Sequence, residues 1–327
     1  MPSRATLGEF ELISRYFTRR SDRSDVIRGV GDDGAVLHVP PGMQLVVTTD
    51  TLVNGVHFPE ETSPYDIGWK CLAVNLSDLA AMGAEPTWIT LALTLPEANK
   101  SWIQGFSQGL FDLADQHHVA LVGGDTTRGP LSISVQAMGF VPSEKALLRS
   151  GVRSGDQIYV TGTLGDAAIG LDILQKRWSS AIPTERAFLI GRLNRPTPRV
   201  QVGLALRSFA HAAIDLSDGL GADLGHLLKA SSQNLGAKIY LESLPRSVAL
   251  KSDSIPWERI ISGGDDYELC FTVSPDQVEQ LKKIQSTLDC ALTWIGQVCD
   301  SPGITWIDKS GDSVKMAKNG FTHFENA

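Results

Sequence analysis

The chain has 327 residues, with 29 Lys and Arg against 37 Asp and Glu, a net charge of −8, and 42% hydrophobic residues. That length predicts two domains, and the composition excludes a disordered chain, a collagen-like repeat and a disulfide scaffold. The acidic balance also argues against nonspecific nucleic-acid binding, yet it permits polyphosphate binding through divalent cations.

Residues 1–20 lack the apolar stretch of a secretory signal. Phe10, Ile13 and Phe17 predict a helix over 8–20. Strands are expected over 35–39 and 44–50, joined by a Pro40-Pro41-Gly42 turn. Ser63-Pro64 reads as the N-cap and first position of a helix running to about Met82. A strand over 88–95, a helix over 100–117 and strands over 119–122 and 131–140 follow. The charged stretch 142–156 is the candidate domain boundary. Beyond it come strands over 157–161, 238–241, 269–273 and 293–298, and helices over 166–175, 199–209, 222–229 and 276–288. The polar segment 176–198 reads as a surface connection. This alternation predicts an α/β or α+β fold.

No run approaches the roughly 18 apolar residues that span a bilayer, so no membrane segment is expected. Cys71, Cys270, Cys290 and Cys299 form no C-x-x-C pair, so they read as reduced thiols in a cytoplasmic protein.

Gly29-Val30-Gly31-Asp32-Asp33-Gly34 matches G-x-G-x-x-G, the dinucleotide fingerprint. It precedes an alternating strand pattern instead of a helix, and two carboxylates in the loop would repel a phosphate. The same residues suit a hard divalent cation. Further oxygen ligands accompany them. Thr48-Thr49-Asp50 is expected at a strand end, and Asn75 and Asp78 share one helix face. Gly123-Gly124-Asp125 follows an apolar strand, and the second half adds Asp215, Ser217, Asp218, Gly264, Asp265 and Asp266. Asp112, Asp115 and Asp172 fall mid-helix and are expected to be solvated.

Leu76-Ser77-Asp78 and Gly123-Gly124-Asp125 recur as Leu216-Ser217-Asp218 and Gly263-Gly264-Asp265. The echo is either coincidence or a sign that both halves place carboxylates at similar turns. His117-His118 reads as a cation at a helix C-terminus. The chain contains no P-loop, no G-x-S-x-G and no H-E-x-x-H. Acidic turns with Gly and Thr fit phosphoryl transfer assisted by several Mg²⁺ ions, where positioning and charge neutralisation carry the catalysis.

Gly31-Asp32-Asp33, Thr48-Thr49-Asp50-Thr51-Leu52, Gly55-Val56-His57-Phe58 and the run from Asn75-Leu76-Ser77-Asp78 to Ala84 resemble the thiamine-monophosphate kinase family. So do Ile214-Asp215-Leu216-Ser217-Asp218-Gly219 and Ser262-Gly263-Gly264-Asp265-Asp266-Tyr267-Glu268-Leu269. More distantly the chain is similar to the ATP-binding superfamily of aminoimidazole ribonucleotide synthetase. The resemblance implies a two-domain fold of that type. Residues 1–142 would bind ATP and Mg²⁺ and form a homodimer through their sheet; residues 143–327 would close the active-site cleft. It implies transfer of the ATP γ-phosphoryl group to thiamine monophosphate. Asp33, Thr48, Thr49, Asp50, Asp78, Asp125, Asp215 and Asp218 would hold Mg²⁺, with Asp32 in support. Gly124, Asp125, Arg149 and Ser217 would contact ATP. His57, Asp265 and an aromatic near the C-terminus, most simply Phe321, would contact the acceptor, with Trp306 or Phe324 as alternatives for the aromatic. The family has Glu where this chain has Asp265. A relative acting on a purine intermediate and a metal- or nucleotide-sensing protein without catalysis are the competing readings.

Overall fold

The computed structural model describes residues 8–178, 182–250, 255–316 and 320–321. The chain divides into two compact units, one of Met1–Leu79 with Ala84–Glu144, the other of Ala80–Gly83 with Lys145–Ala327.

The first unit opens with α1 (Glu9–Leu12), which runs on as one π-helical turn, Ile13–Phe17. Leu12 and Phe17 are its buried residues, whereas Phe10 is 83% exposed. The helix therefore stops short of the expected residue 20. A small hairpin, β1 (Val26–Arg28) with β2 (Val36–Leu37), flanks the Gly-Asp turn, which leads into a strand, so no helix begins there. The main sheet has four strands in the order β3 (Met43–Val53), β6 (Ser132–Pro142), β4 (Glu85–Leu95) and β5 (Ala120–Arg128). Only β4 and β5 pair in parallel.

Helix α2 (Pro64–Ala81) starts as expected. The Ser63 hydroxyl accepts the Asp66 N–H at 3.1 Å and donates to the Asp66 carboxylate at 2.9 Å, a reciprocal cap. Leu72, Leu76 and Leu79 are fully buried, each contributing about 1.5–3 kcal/mol. Helix α3 (Lys100–Gln116) is capped by Asn99, whose side chain accepts the Ser101 and Trp102 N–H groups. At its far end burial lowers the His117 pKa, helped by the charge of His118, so the expected cation is disfavoured there.

The second unit is built on a seven-stranded sheet in the order β13 (Ser313–Val314), β12 (Gly303–Ile307), β9 (Gly236–Tyr240), β11 (Leu292–Cys299), β7 (Gln157–Thr161), β10 (Leu269–Val273) and β8 (Ala210–Asp215). Its helices are α4 (Asp166–Leu174), α5 (Pro183–Asn194), α6 (Val200–Leu206), α7 (Leu220–Ser231), α8 (Trp257–Ser262) and α9 (Val278–Gln285). Ile158, Val160, Ile214, Leu224, Ile239 and Ile295 anchor its core.

Two expectations fail here. The segment 176–198 is no surface connection: most of it is α5, which buries Leu189 and Leu193. Asp172 is not solvated; it is 3% exposed and pairs with Arg177 at 2.7 Å and Arg259 at 3.1 Å. Asp172, Arg192 and Arg199 find charged partners inside the unit, which periodicity cannot reveal.

Candidate active-site residues

In the first unit the expected strand-end ligands lie inside β3 instead. Thr48 and Asp50 alternate with the exposed Val47 and Thr49, so they share the inner face of the strand. Helix α2 presents Asn75 and Asp78 to that face. The Thr48 hydroxyl donates to an Asp78 carboxylate oxygen, and the Asp50 N–H donates to Asn75 Oδ1 at 3.2 Å. Burial, and then the charge of Asp78, push the Asp50 carboxyl up to about 6. The neighbouring carboxylate disfavours ionisation of Asp50, and a bound cation would reverse that.

The other oxygen ligands of this unit do not join that group. Thr49 is exposed on the opposite face, where the Gln136 amide donates to its hydroxyl at 3.4 Å. Asp33 sits in an exposed turn, its N–H donating to Asp32 Oδ1 at 3.0 Å, while Asp32 pairs with Arg28 at 3.6 Å. Gly123, Gly124 and Asp125 lie within β5, not in a loop after it. Register places Asp50 opposite Val135, Val135 opposite Leu91, and Leu91 opposite Gly124. Asp50 and Gly124 thus occupy the two outer strands of the sheet, roughly 14 Å apart at about 4.8 Å per strand. Gly124 has φ +148°, and a Cβ there would lie 1.9 Å from the Leu91 carbonyl oxygen, so only glycine fits.

His57 ends a tight turn after β3. Its Nδ1 accepts the Val53 N–H at 3.0 Å, which requires the ring proton on Nε2 and leaves that edge a donor. The backbone carbonyl of His57 accepts from Lys70 Nζ at 3.2 Å. Lys70 is 2% exposed and was not anticipated; its only sequence signal is a cation inside an otherwise apolar helical run.

The second unit gathers its candidates through backbone bonds. Strand β8 ends at Asp215, which is 4% exposed. The turn that follows carries Ser217 and Asp218. The Asp265 N–H donates to the Ser217 carbonyl at 2.8 Å, and the Phe321 N–H donates to the Asp218 carbonyl at 3.1 Å. Asp215, Ser217, Asp218, Asp265 and Phe321 are therefore neighbours. Trp306 is 3% exposed in the core and offers no face for stacking; Phe324 lies outside the described residues.

Asp223, in the first turn of α7, holds this turn from below. One of its carboxylate oxygens accepts both the Asp218 and Gly219 N–H groups at 3.1 Å. Burial and then the charge of Asp218 push its carboxyl up to about 7, while Arg149 pulls it down. Arg149 is thus within electrostatic reach of the turn. Its carbonyl accepts from Ser231, and the Ser231 oxygen accepts the Gly151 and Val152 N–H groups at 3.0 Å.

The loop after α8 is conformationally unusual. Gly264 (φ +69°), Asp265 (φ +62°) and Tyr267 (φ +49°) all adopt left-handed backbone. Glycine does so freely, whereas each of the other two stores on the order of 1 kcal/mol or more. A Cβ at Gly264 would sit 2.7 Å from the Ser217 carbonyl oxygen. The repeated tripeptides thus occupy different local structures: Asp78 lies in a helix and Asp218 in a turn, Asp125 in a strand and Asp265 in a strained loop.

Among the described residues no three His, Cys, Asp or Glu side chains group into a metal cage. Mg²⁺ does not need one, because it binds through one or two carboxylates together with substrate phosphates and water. The oxygen-only donor set around Asp50 and Asp78 fits that mode.

The chain matches the AIR synthase related protein N-terminal domain over residues 31–141 and the corresponding C-terminal domain over residues 153–309. It is 50% identical over 322 residues to the thiamine-monophosphate kinase of Escherichia coli (strain K12), covering 97% of this chain and 98% of that one. The chain belongs to the thiamine-monophosphate kinase family. The enzyme of Bacillus subtilis (strain 168) is 36% identical over 329 residues, covering 98% of this chain and all of that one (100%). Among solved structures, thiamine-monophosphate kinase from Stenotrophomonas maltophilia K279a superposes with TM-score 0.82 at 51% identity, covering 90% of this chain and 93% of that one. AaThiL complexed with AMPPCP and TMP superposes with TM-score 0.75 at 34% identity, covering 90% and 92%. The α+β architecture of two such domains is that of this family.

Proposed function

We propose that the chain transfers the γ-phosphoryl group of ATP to thiamine monophosphate, giving thiamine diphosphate and ADP. The observation that carries this reading is its membership of the family together with a relative, 34% identical, complexed with AMPPCP and TMP. AMPPCP stands in for ATP, and TMP for the acceptor. An acceptor phosphate oxygen attacks the γ-phosphorus while the bond to the β,γ-bridging oxygen breaks, and ADP leaves with that electron pair. The acceptor's second pKa is about 6, so its oxygen is already ionised at neutral pH and no general base is required.

Mg²⁺, when bound, neutralises the triphosphate and the charge on the leaving oxygen. In the first unit Thr48, Asp50 and Asp78 form the compact group that would hold it; Asp33 and Asp125, which lie apart from that group, would serve further ions, and Thr49, on the opposite face of β3, would reach only one bound on that side. In the second unit Asp215 and Asp218 have the same role. Gly124 lets the β5 backbone approach a phosphate, and Asp125, Arg149 and Ser217 supply the remaining contacts to ATP. His57 offers its Nε2 proton to the acceptor phosphate. Asp265 faces the cationic thiazolium ring and Phe321 stacks on it. Residues 1–142 serve ATP, Mg²⁺ and dimerisation, and residues 143–327 complete the site.

The homodimer reading is supported by the outer face of β3 and by the adjoining hairpin: Val47 is 50% exposed, Ile27 65% and Val36 56%. No helix of the described residues is long and apolar enough to cross a membrane, and all four cysteines are free, which supports a cytoplasmic enzyme. The test is direct. Purified protein with ATP, Mg²⁺ and thiamine monophosphate should form thiamine diphosphate and ADP in equal amounts, and nucleotide binding without product would refute the enzyme.

A further inference from the structure

Glu268 is fully buried between two arginines. Arg199 grips it with two bonds, Nε to Oε2 and Nη2 to Oε1, both 2.6 Å. Arg192 Nη2 donates to Oε1 at 2.7 Å and reaches the Asp266 carbonyl at 3.4 Å. The Thr161 hydroxyl donates to Oε2 at 2.6 Å and accepts the Leu269 N–H at 2.8 Å. Two residues upstream, the Asp266 carboxylate receives the Gly165 N–H on both oxygens at 3.0 Å.

These contacts flank the left-handed residues Asp265 and Tyr267. On its other side the loop is bonded to the turn after β8: Asp265 N–H to the Ser217 carbonyl, Tyr267 N–H to the Leu216 carbonyl, and Leu216 N–H to the Glu268 carbonyl, each 2.8 Å. A backbone of this kind persists only where its surroundings over-determine it. Desolvating a carboxylate with two guanidiniums is not in itself a source of stability, so the arrangement calls for another explanation.

We propose that the Arg192–Glu268–Arg199 clamp is a positioning device that holds the loop 264–267 in its strained form and thereby sets the place of Asp265. This assigns a role to the segment 176–198: it carries Arg192 on α5 and leads through Pro196 and Pro198 to Arg199. Glu268 touches no substrate; it acts through the loop. The inference rests on the reading of Asp265 as an acceptor contact, and its test separates the two.

Glu268→Gln keeps the shape and removes the charge. Amide hydrogen exchange at Asp265 and Tyr267 should quicken, and KM for thiamine monophosphate should rise about tenfold, the equivalent of the strain of one left-handed residue, with KM for ATP moving far less. Tyr267→Gly relieves part of the strain, so Glu268→Gln/Tyr267→Gly should recover acceptor affinity relative to Glu268→Gln alone. A merely structural clamp would lower the melting temperature without that split or rescue. Unchanged exchange at both amides, or no rescue by the glycine, overturns the clamp. Asp265→Ala is the separate arm: an unmoved acceptor KM there refutes the acceptor contact, while quickened exchange in Glu268→Gln still supports a clamp on the loop.

Discussion

Phe321 is tied to Asp218 backbone to backbone, its N–H donating to the Asp218 carbonyl at 3.1 Å. The aromatic is thus anchored by its main chain to the turn of a candidate metal ligand, while the residue is 51% exposed. Truncation should therefore leave the turn in place. Phe321→Ala is expected to raise KM for thiamine monophosphate about tenfold, the worth of one desolvated cation–π contact, and KM for ATP by much less. Steady-state kinetics with each substrate varied in turn will show it, and a change confined to ATP would mean the acceptor lies elsewhere.

Asp50→Asn and Asp125→Asn should each abolish turnover while circular dichroism remains native. The Asp50 carboxyl is raised from 3.8 to about 6, so its protonated form is favoured by folding. Its contribution to stability is complete below pH 3.8 and is lost as pH rises through about 6. By pH 7.5 that loss amounts to about 3 kcal/mol in metal-free protein. Thermal unfolding in EDTA should then find Asp50→Asn more stable than wild type at pH 7.5 and no more stable at pH 4. Mg²⁺ with a nucleotide should stabilise the wild type and not the variant.

Asp223 titrates in the same sense and higher, from 3.8 to about 7. Its stabilising contribution is therefore lost across pH 4 to 7. Asp223→Asn retains an oxygen to accept the Asp218 and Gly219 N–H groups, so unfolding above pH 8 should require more denaturant than in wild type. Asp223→Ala leaves both donors without that acceptor and should lower activity, with a stability loss of about 1–3 kcal/mol. Equal behaviour of the two variants would rule out the hydrogen-bond role.

Gly124→Ala tests the close approach of β5 to β4. An added Cβ at 1.9 Å from the Leu91 carbonyl oxygen, on a backbone of φ +148°, cannot be absorbed locally. The outer strand should separate from its neighbour at a loss of about 2–4 kcal/mol, read as a lower urea midpoint. A midpoint within error of wild type would show that the strand has room to shift.

Sequence patterning sufficed where burial alternates or recurs every turn. Ser63 caps α2, and Phe106 and Leu110 sit inward on α3 as their spacing requires. The acidic motifs were visible as residue types but not as places. Asp50 looked like a strand-end ligand because Asp is a poor strand former, yet β3 continues through it to Val53. Asp125 looked like a loop residue because two glycines precede it; one of them is needed for strand contact instead. Arg192, Arg199 and Glu268 gave no warning, since an ion cluster brought together across 76 residues of separation leaves no periodic trace. Asp223 escaped for a similar reason: an acid in the first turn of a helix reads as an ordinary favourable charge on the dipole.

Strand β3 is one of the two outer strands of its sheet and carries Leu45 and Val47 outward, 40% and 50% exposed. Such an edge is a template for any extended segment that meets it. How the chain fares during synthesis is therefore a race between covering that edge and meeting another half-folded copy. Destabilised variants of the first unit should reveal themselves as precipitate before they show any loss of helix signal, and slow expression at low temperature should rescue them better than any change of ligand.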